Sequence, residues 1–244
     1  MITINSDEIA AKFKGQSNFG QQELLNLLKG LYPSANVNTL KWKIYDLKQK
    51  GIIHPLAKGL YSLTDPGELY LPSVSLEAKQ LYEDIRRELP YTELCFAHTT
   101  WFNEFMVHQV FRTYLIIEVE KEATLSVFNR LTEWGKKAFL NPTREVFEYY
   151  IVNEEDPTII VPLISESPLM EVDRVKLPTL EKMLVDCISE KEVYNAQYQE
   201  ATGIFKNAME KYQVNLSKLR RYARRRNRTR EINDLIKKSK RHDR

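Results

Sequence analysis

Apolar positions in residues 1–63 recur three times at helical spacing and then alternate. A first helix is expected from Asn5, with Glu8 as its capping-box partner, ending before Gly15. A second covers residues 20–30, where Leu24, Leu25, Leu27 and Leu28 supply the apolar face and Pro33 stops the helix. The third starts at Ala35 and Asn36 and runs to Gln49. Val37, Leu40, Ile44 and Leu47 fall on one face of it, and Gly51 ends it as a residue tolerant of left-handed backbone. Residues 52–54 and 60–63 read as a hairpin turning through Leu56, Ala57, Lys58 and Gly59. Three helices and a hairpin are the outline of a winged helix-turn-helix domain, taken as residues 1–65.

Residues 64–73 contain Pro66, Gly67 and Pro72 and are expected to form a linker. A second domain, residues 74–244, mixes both periodicities. Residues 75–89 read as a helix with Leu76, Leu81 and Ile85 among its apolar positions. Strands are expected at 92–97 and 113–119, and a helix at 125–134. Residues 146–152 and 158–164 flank Glu154-Glu155-Asp156-Pro157 and read as a long hairpin. Pro178 opens a helix to residue 189 with Leu180, Met183, Leu184, Cys187 and Ile188 in one stripe. Tyr194, Tyr198, Ala201, Phe205, Ala208 and Tyr212 continue at helical spacing, and Leu216, Leu219 and Ala223 open a final helix. The expected class is α/β (α+β), a winged helix followed by a mixed domain that ends in basic helices.

The charge distribution adds a partner class to this outline. Residues 218–244 hold thirteen Lys/Arg against three Asp/Glu, a net of +10 in a chain of net +3. The preceding 217 residues are therefore acidic overall, at −7. A cationic segment on an acidic body points to a polyanion, most simply nucleic acid, or to an acidic protein groove. Arg220, Arg221, Arg224, Arg225, Arg226 and Arg228 are the candidate phosphate contacts in that segment. In the third helix, Asn38, Thr39, Lys41, Trp42, Lys43 and Tyr45 lie on or near the side away from the apolar stripe. Asn pairs with adenine and Lys with guanine or phosphate, and Lys58 at the hairpin tip is placed for an adjacent phosphate. Trp42 is equally suited to packing on the second helix.

Other chemistry is thin. Cys95 and Cys187 lack CxxC spacing, and His54, His98, His108 and His242 are scattered, so neither a disulfide framework nor a metal site is expected. Glycine-rich phosphate-binding loops are absent, and no cofactor is expected. Without a leader or a membrane-length apolar run, a cytoplasmic location is expected.

Two stretches resemble the antitoxins of the AbiEi type. Leu47-Lys48-Gln49-Lys50-Gly51-Ile52-Ile53 followed by Lys58-Gly59-Leu60-Tyr61 is similar to that family's helix-to-wing segment. Leu177-Pro178-Thr179-Leu180-Glu181-Lys182-Met183-Leu184-Val185-Asp186 is similar to its C-terminal helix, with a Glu-basic-x-Leu-Val-Asp core, and Tyr222-Ala223-Arg224-Arg225 to its terminal basic helix. The resemblance implies the antitoxin half of a type IV toxin–antitoxin pair. Such a protein binds double-stranded operator repeats, represses its own operon and counters a nucleotidyltransferase-like toxin without requiring a stable complex. It is not an enzyme.

Two other classes stand beside this reading. A nucleic-acid-processing enzyme would need Glu118, Glu120 and Asp186 to converge. Asp186 and Glu181 are expected instead as a solvent-exposed or salt-bridged pair off the apolar stripe, and Cys95 and His98 as core residues rather than a reactive couple. A protein-docking scaffold would use Trp42 and the arginine segment against protein.

Overall fold

The computed structural model describes residues 6–14, 16, 18–63, 68–110 and 112–239. Asn5, Gly15, residues 64–67 of the expected linker and residues 240–244 lie outside them. The chain divides between Glu68 and Leu69 into two compact units.

The first unit runs α1 (Ser6–Phe13), β1 (Phe19–Gly20), α2 (Gln21–Leu31), α3 (Val37–Gln49), β2 (His54–Ala57) and β3 (Leu60–Ser62). Each helix boundary has a local cause. The Gly20 N–H donates to the Glu23 carboxylate at 2.7 Å and opens α2. The Asn36 Oδ1 accepts the Thr39 N–H at 2.8 Å and opens α3. Gly51, with φ of 65°, closes α3 as the Ile52 N–H reaches the Leu47 carbonyl at 3.0 Å. Leu24, Leu28, Leu40, Ile44 and Leu47 pack with Ile9, Phe13, Phe19 and Tyr61 into one core.

Two expectations shift here. The first hairpin strand is residues 54–57 rather than 52–54, with an irregular register between Pro55 and Ala57. Val37, assigned to the apolar stripe, is 60% exposed because it occupies the first position of α3, a turn ahead of the packed face. The sequence pattern also missed β1, which pairs with β3 to give the order β1-β3-β2. Two residues carry no readable alternation.

The second unit is a mixed α/β assembly. Its elements are α4 (Leu76–Glu88), β4 (Leu94–His98), β5 (Leu115–Val119), α5 (Thr124–Glu133), β6 (Ala138–Leu140), α6 (Arg144–Tyr149), β7 (Thr158–Pro162), β8 (Leu169–Val172), β9 (Val175–Pro178), α7 (Leu180–Ser189), α8 (Asn195–Gln199), α9 (Ala201–Lys211), α10 (Leu216–Arg225) and α11 (Thr229–Ser239). The central sheet has the order β4-β5-β7-β6, with β4 antiparallel to β5 and the remaining pairs parallel. Register aligns Ala97, Ile116 and Ile159 across one face, and Phe96, Ile117 and Ile160 across the other. The first row packs into a core with α7, α9, α10 and α11. The second packs with Leu81, Ile85, Val127, Leu131, Val175 and Leu177 from α4, α5 and β9. Strands buried on both sides read as continuous apolar runs, which is why residues 115–119 stood out.

The expected hairpin of residues 146–152 and 158–164 is overturned. Thr143 accepts the Val146 N–H and starts α6, so the first arm is helical, while β7 runs parallel between β5 and β6. Pro178 ends β9 instead of opening α7, whose cap position is Thr179. The helical run from Tyr194 breaks at Glu200 into α8 and α9. No described helix is long and apolar enough to cross a membrane.

Candidate nucleic-acid interface and a buried charge cluster

In the first unit, α3 turns Leu40, Ile44 and Leu47 inward and leaves the opposite arc to solvent. Asn38, Thr39 and Lys41 are exposed there. Trp42 is 70% exposed and Tyr45 50%, with ring centroids 5.9 Å apart. Trp42 therefore does not pack on α2. The Thr39 hydroxyl donates to Asn36 Oδ1 at 3.0 Å, which fixes the first turn of the helix. Lys43 departs from the expected outer side. It is buried, and its ammonium lies 3.8 Å over the Tyr32 ring. It follows Trp42 by one position and so is carried round toward the inward face. Lys58 is exposed in the β2–β3 turn, where Gly59 at φ of 76° supplies the left-handed residue.

In the second unit, the arginine-rich segment is not a loose tail. Leu219, Tyr222 and Ala223 bury one face of α10, and Ile232 and Ile236 one face of α11, in the same core as α7 and α9. That geometry leaves Arg220, Arg221, Arg224 and Arg225 exposed on the other arc. Arg220 Nε donates to Asn233 Oδ1 at 3.2 Å, and Arg225 donates to Ser165 Oγ. Arg226 is not a surface contact. Its side chain is 10% exposed and pairs with Glu190 and, at 3.6 Å, with Asp186. The chain reverses immediately afterwards at Asn227, φ 56°, which ends the outward-facing series. Arg228 is a third exposed and lies 3.5 Å from the Glu231 carboxylate.

Arg226 belongs to a cluster that reasoning from sequence did not assemble. At its centre, Lys182 of α7 is fully buried and donates to both Glu118 oxygens, at 2.6 and 2.7 Å, and to Asp186. The Tyr222 hydroxyl donates to the other Asp186 oxygen at 2.9 Å. Burial disfavours the Lys182 ammonium, but Asp186 and Glu118 outweigh it and hold its pKa well above the ordinary lysine value. Burial pushes Glu118 up from 4.5, opposed by Lys182 and reinforced by Asp186. Desolvation outweighs the attraction of Lys182 and Arg226, so the Glu118 carboxyl holds its proton more tightly than a free one. Burial, with Asp186 beside it, also raises the Tyr222 hydroxyl.

The cluster corrects two expectations. The solvent-exposed alternative for Asp186 and Glu181 is overturned, because α7 is enclosed on every side from Leu180 to Ile188, and the salt-bridged one holds, each with cations rather than with the other. Glu181 accepts the Asn215 N–H at 2.8 Å and pairs with Lys218 at 3.7 Å. Of the three carboxylates an enzyme would need, Glu118 and Asp186 converge, on an ammonium. Glu120 lies just past β5, with its backbone bonded to Glu93, and does not join them. Among the described residues no group of three His, Cys, Asp or Glu is placed to hold a metal ion. The void beside the cluster, lined by Glu118, Asp186, Tyr194 and Arg226, is about 20 Å³, room for a single water.

A readable signal for Lys182 existed. It and Asp186 stand at i and i+4 in a helix whose remaining residues, Glu181 and Ser189 apart, are apolar, and charges enclosed in such a helix must pair internally. Cys95 and His98 stand three apart on β4, so their side chains leave opposite faces and form no couple. Cys95 is buried with its thiol pushed well up by burial, and His98 Nδ1 meets Thr100 Oγ1 at 2.7 Å.

A search of curated proteins finds no match to this chain. A family model does match it, over residues 39–242, from the first turn of α3 to beyond α11. That span covers the exposed arc of α3, the buried cluster and the arginine face alike, and the chain belongs to this family, DUF6577, a family of unknown function.

Proposed function

We infer that this chain is a cytoplasmic DNA-binding regulator, with α3 as the reading helix of a winged helix-turn-helix unit. The observation that carries the reading is the outward arc of α3. It presents Trp42 and Tyr45 to solvent beside Asn38, Thr39 and Lys41, and the unit adds an exposed Lys58 at a tight turn. An apolar ring of that size has no core role at this position and is an expected contact residue. The element order supports the same reading, with a short strand after the first helix and a hairpin after the third, joined in one sheet. The exposed arginines of α10 supply sequence-independent affinity for phosphate.

The resemblance to AbiEi-type antitoxins extends this to autorepression of an operon and to antagonism of a nucleotidyltransferase-like toxin. On this reading the Glu181-Lys182-Met183-Leu184-Val185-Asp186 motif acts as scaffold, since its charges face inward. The carrying experiment is footprinting of the full chain on its own promoter. Protection of repeats by the wild type, abolished in a Trp42→Ala, Lys41→Ala, Lys58→Ala variant that melts normally, is expected. Equal footprints for both would remove α3 as the reader and favour protein docking. Co-expression with the neighbouring open reading frame tests the antitoxin role. Failure to rescue growth, or a harmless neighbour, would leave a regulator without a toxin.

A further inference from the structure

The cleft lined by Arg112, Tyr114, Phe147, Lys191, Gln197 and Tyr198 encloses about 600 Å³. That lies within the range of clefts that hold small ligands, about 300–1,000 Å³. We propose that this cleft binds a nucleoside monophosphate.

Three independent features converge there. The first is Gln197, which is only 3% exposed. Its side-chain amide makes no hydrogen bond to any described residue, although it lines the cleft. The amide is not sealed from solvent, and in a residue that lines the cleft it offers two donors and one acceptor, the complement of a nucleobase edge. The second feature is the aromatic wall. Phe147 is buried with Tyr114 edge-on at 5.8 Å, and Tyr198 is partly open. Such rings give a planar base a stacking surface.

The third feature is the charge. Arg112 and Lys191 have no carboxylate partner among the described residues, and the Lys191 ammonium is held 4.3 Å over the Tyr198 ring. Arg144 is already committed, with its Nε 2.7 Å from Glu148. Glu192 also lines the cleft, so the uncommitted charge is two cations against one carboxylate. That balance suits a single phosphate better than a chain of three. The cleft lies wholly in the second unit and is independent of the DNA-reading proposal.

Calorimetric titration of the full chain with AMP and GMP tests this, with adenosine and inorganic phosphate as separate arms. One of the monophosphates should bind at least about tenfold more tightly than either fragment alone. The Arg112→Gln, Lys191→Gln variant changes solvent-accessible side chains and should fold normally. It should weaken monophosphate binding by at least about tenfold while leaving binding of adenosine unchanged. Gln197→Leu should weaken the nucleotide and adenosine together. The proposal is overturned if neither monophosphate binds at millimolar concentration. It is equally overturned if inorganic phosphate binds as well as the nucleotides, if the double variant binds them unchanged, or if only a 5′-phosphorylated oligonucleotide binds.

Discussion

Lys182 meets two carboxylates inside the second unit, and its removal leaves Glu118 without a counter-charge and Asp186 with Arg226 alone. Breaking a buried pair in this way costs about 3–5 kcal/mol. Urea denaturation of Lys182→Met should show a loss of that size, and adding Glu118→Gln should recover part of it. Glu118 itself carries a proton linkage. Its folded-state pKa lies above 4.5, so the folded form binds its proton more tightly than the unfolded form. The stability it contributes therefore grows as pH falls from the raised value toward 4.5 and is level below that. Relative to Glu118→Gln, in which every other group is retained, the wild type should gain stability on acidification from pH 8. A gap that stays constant with pH would contradict the raised value. At this scale the sequence was legible in kind but not in place. The i, i+4 spacing of Lys182 and Asp186 was visible, whereas Glu118, 64 residues away, could be joined to them only by the fold.

Helix ends were readable because their causes are local, as at Asn36 and Gly51. Strand partners were not, because β7 takes both of its neighbours from distant segments, and residues 146–152, rich in β-branched and aromatic side chains, gave no warning that Thr143 would cap a helix. The arginine segment shows the same division. Its charge was plain, but the assignment of Arg226 to the surface failed because it follows Leu219, Tyr222 and Ala223 by seven, four and three positions and so falls on the buried face of α10. The variant that isolates the surface charge is therefore Arg220→Gln, Arg221→Gln, Arg224→Gln, Arg225→Gln, with Arg226 left in its buried pairs. It should remain folded and flatten the salt dependence of DNA binding by about 0.9 in log–log slope for each phosphate it no longer neutralises. A slope equal to that of the wild type in the folded variant would assign these arginines to another partner.

For the whole molecule, the charge asymmetry between residues 1–217 and 218–244 marks the last segment as cationic, and the helical spacing of Leu216, Leu219 and Ala223 makes it part of the second domain. The second unit is built that way. Leu219, Tyr222, Ala223, Ile232 and Ile236 are all buried in its larger core. Ending the chain at residue 217 should unfold residues 69–217 cooperatively, seen as loss of the thermal transition of that unit. The same truncation should leave the transition of residues 1–68, whose core is its own, in place. Tyr222 and Arg226 also close the cluster around Asp186, and that has a consequence during synthesis. While a ribosome is still translating α10, Asp186 has been made but two of its partners have not. The nascent unit holds an unfinished interior until the last helices emerge, and domains complete only once their contacts are available. A message cut short within α10 would release a chain whose defect is an open core, which places prompt proteolysis as the fate of truncated copies.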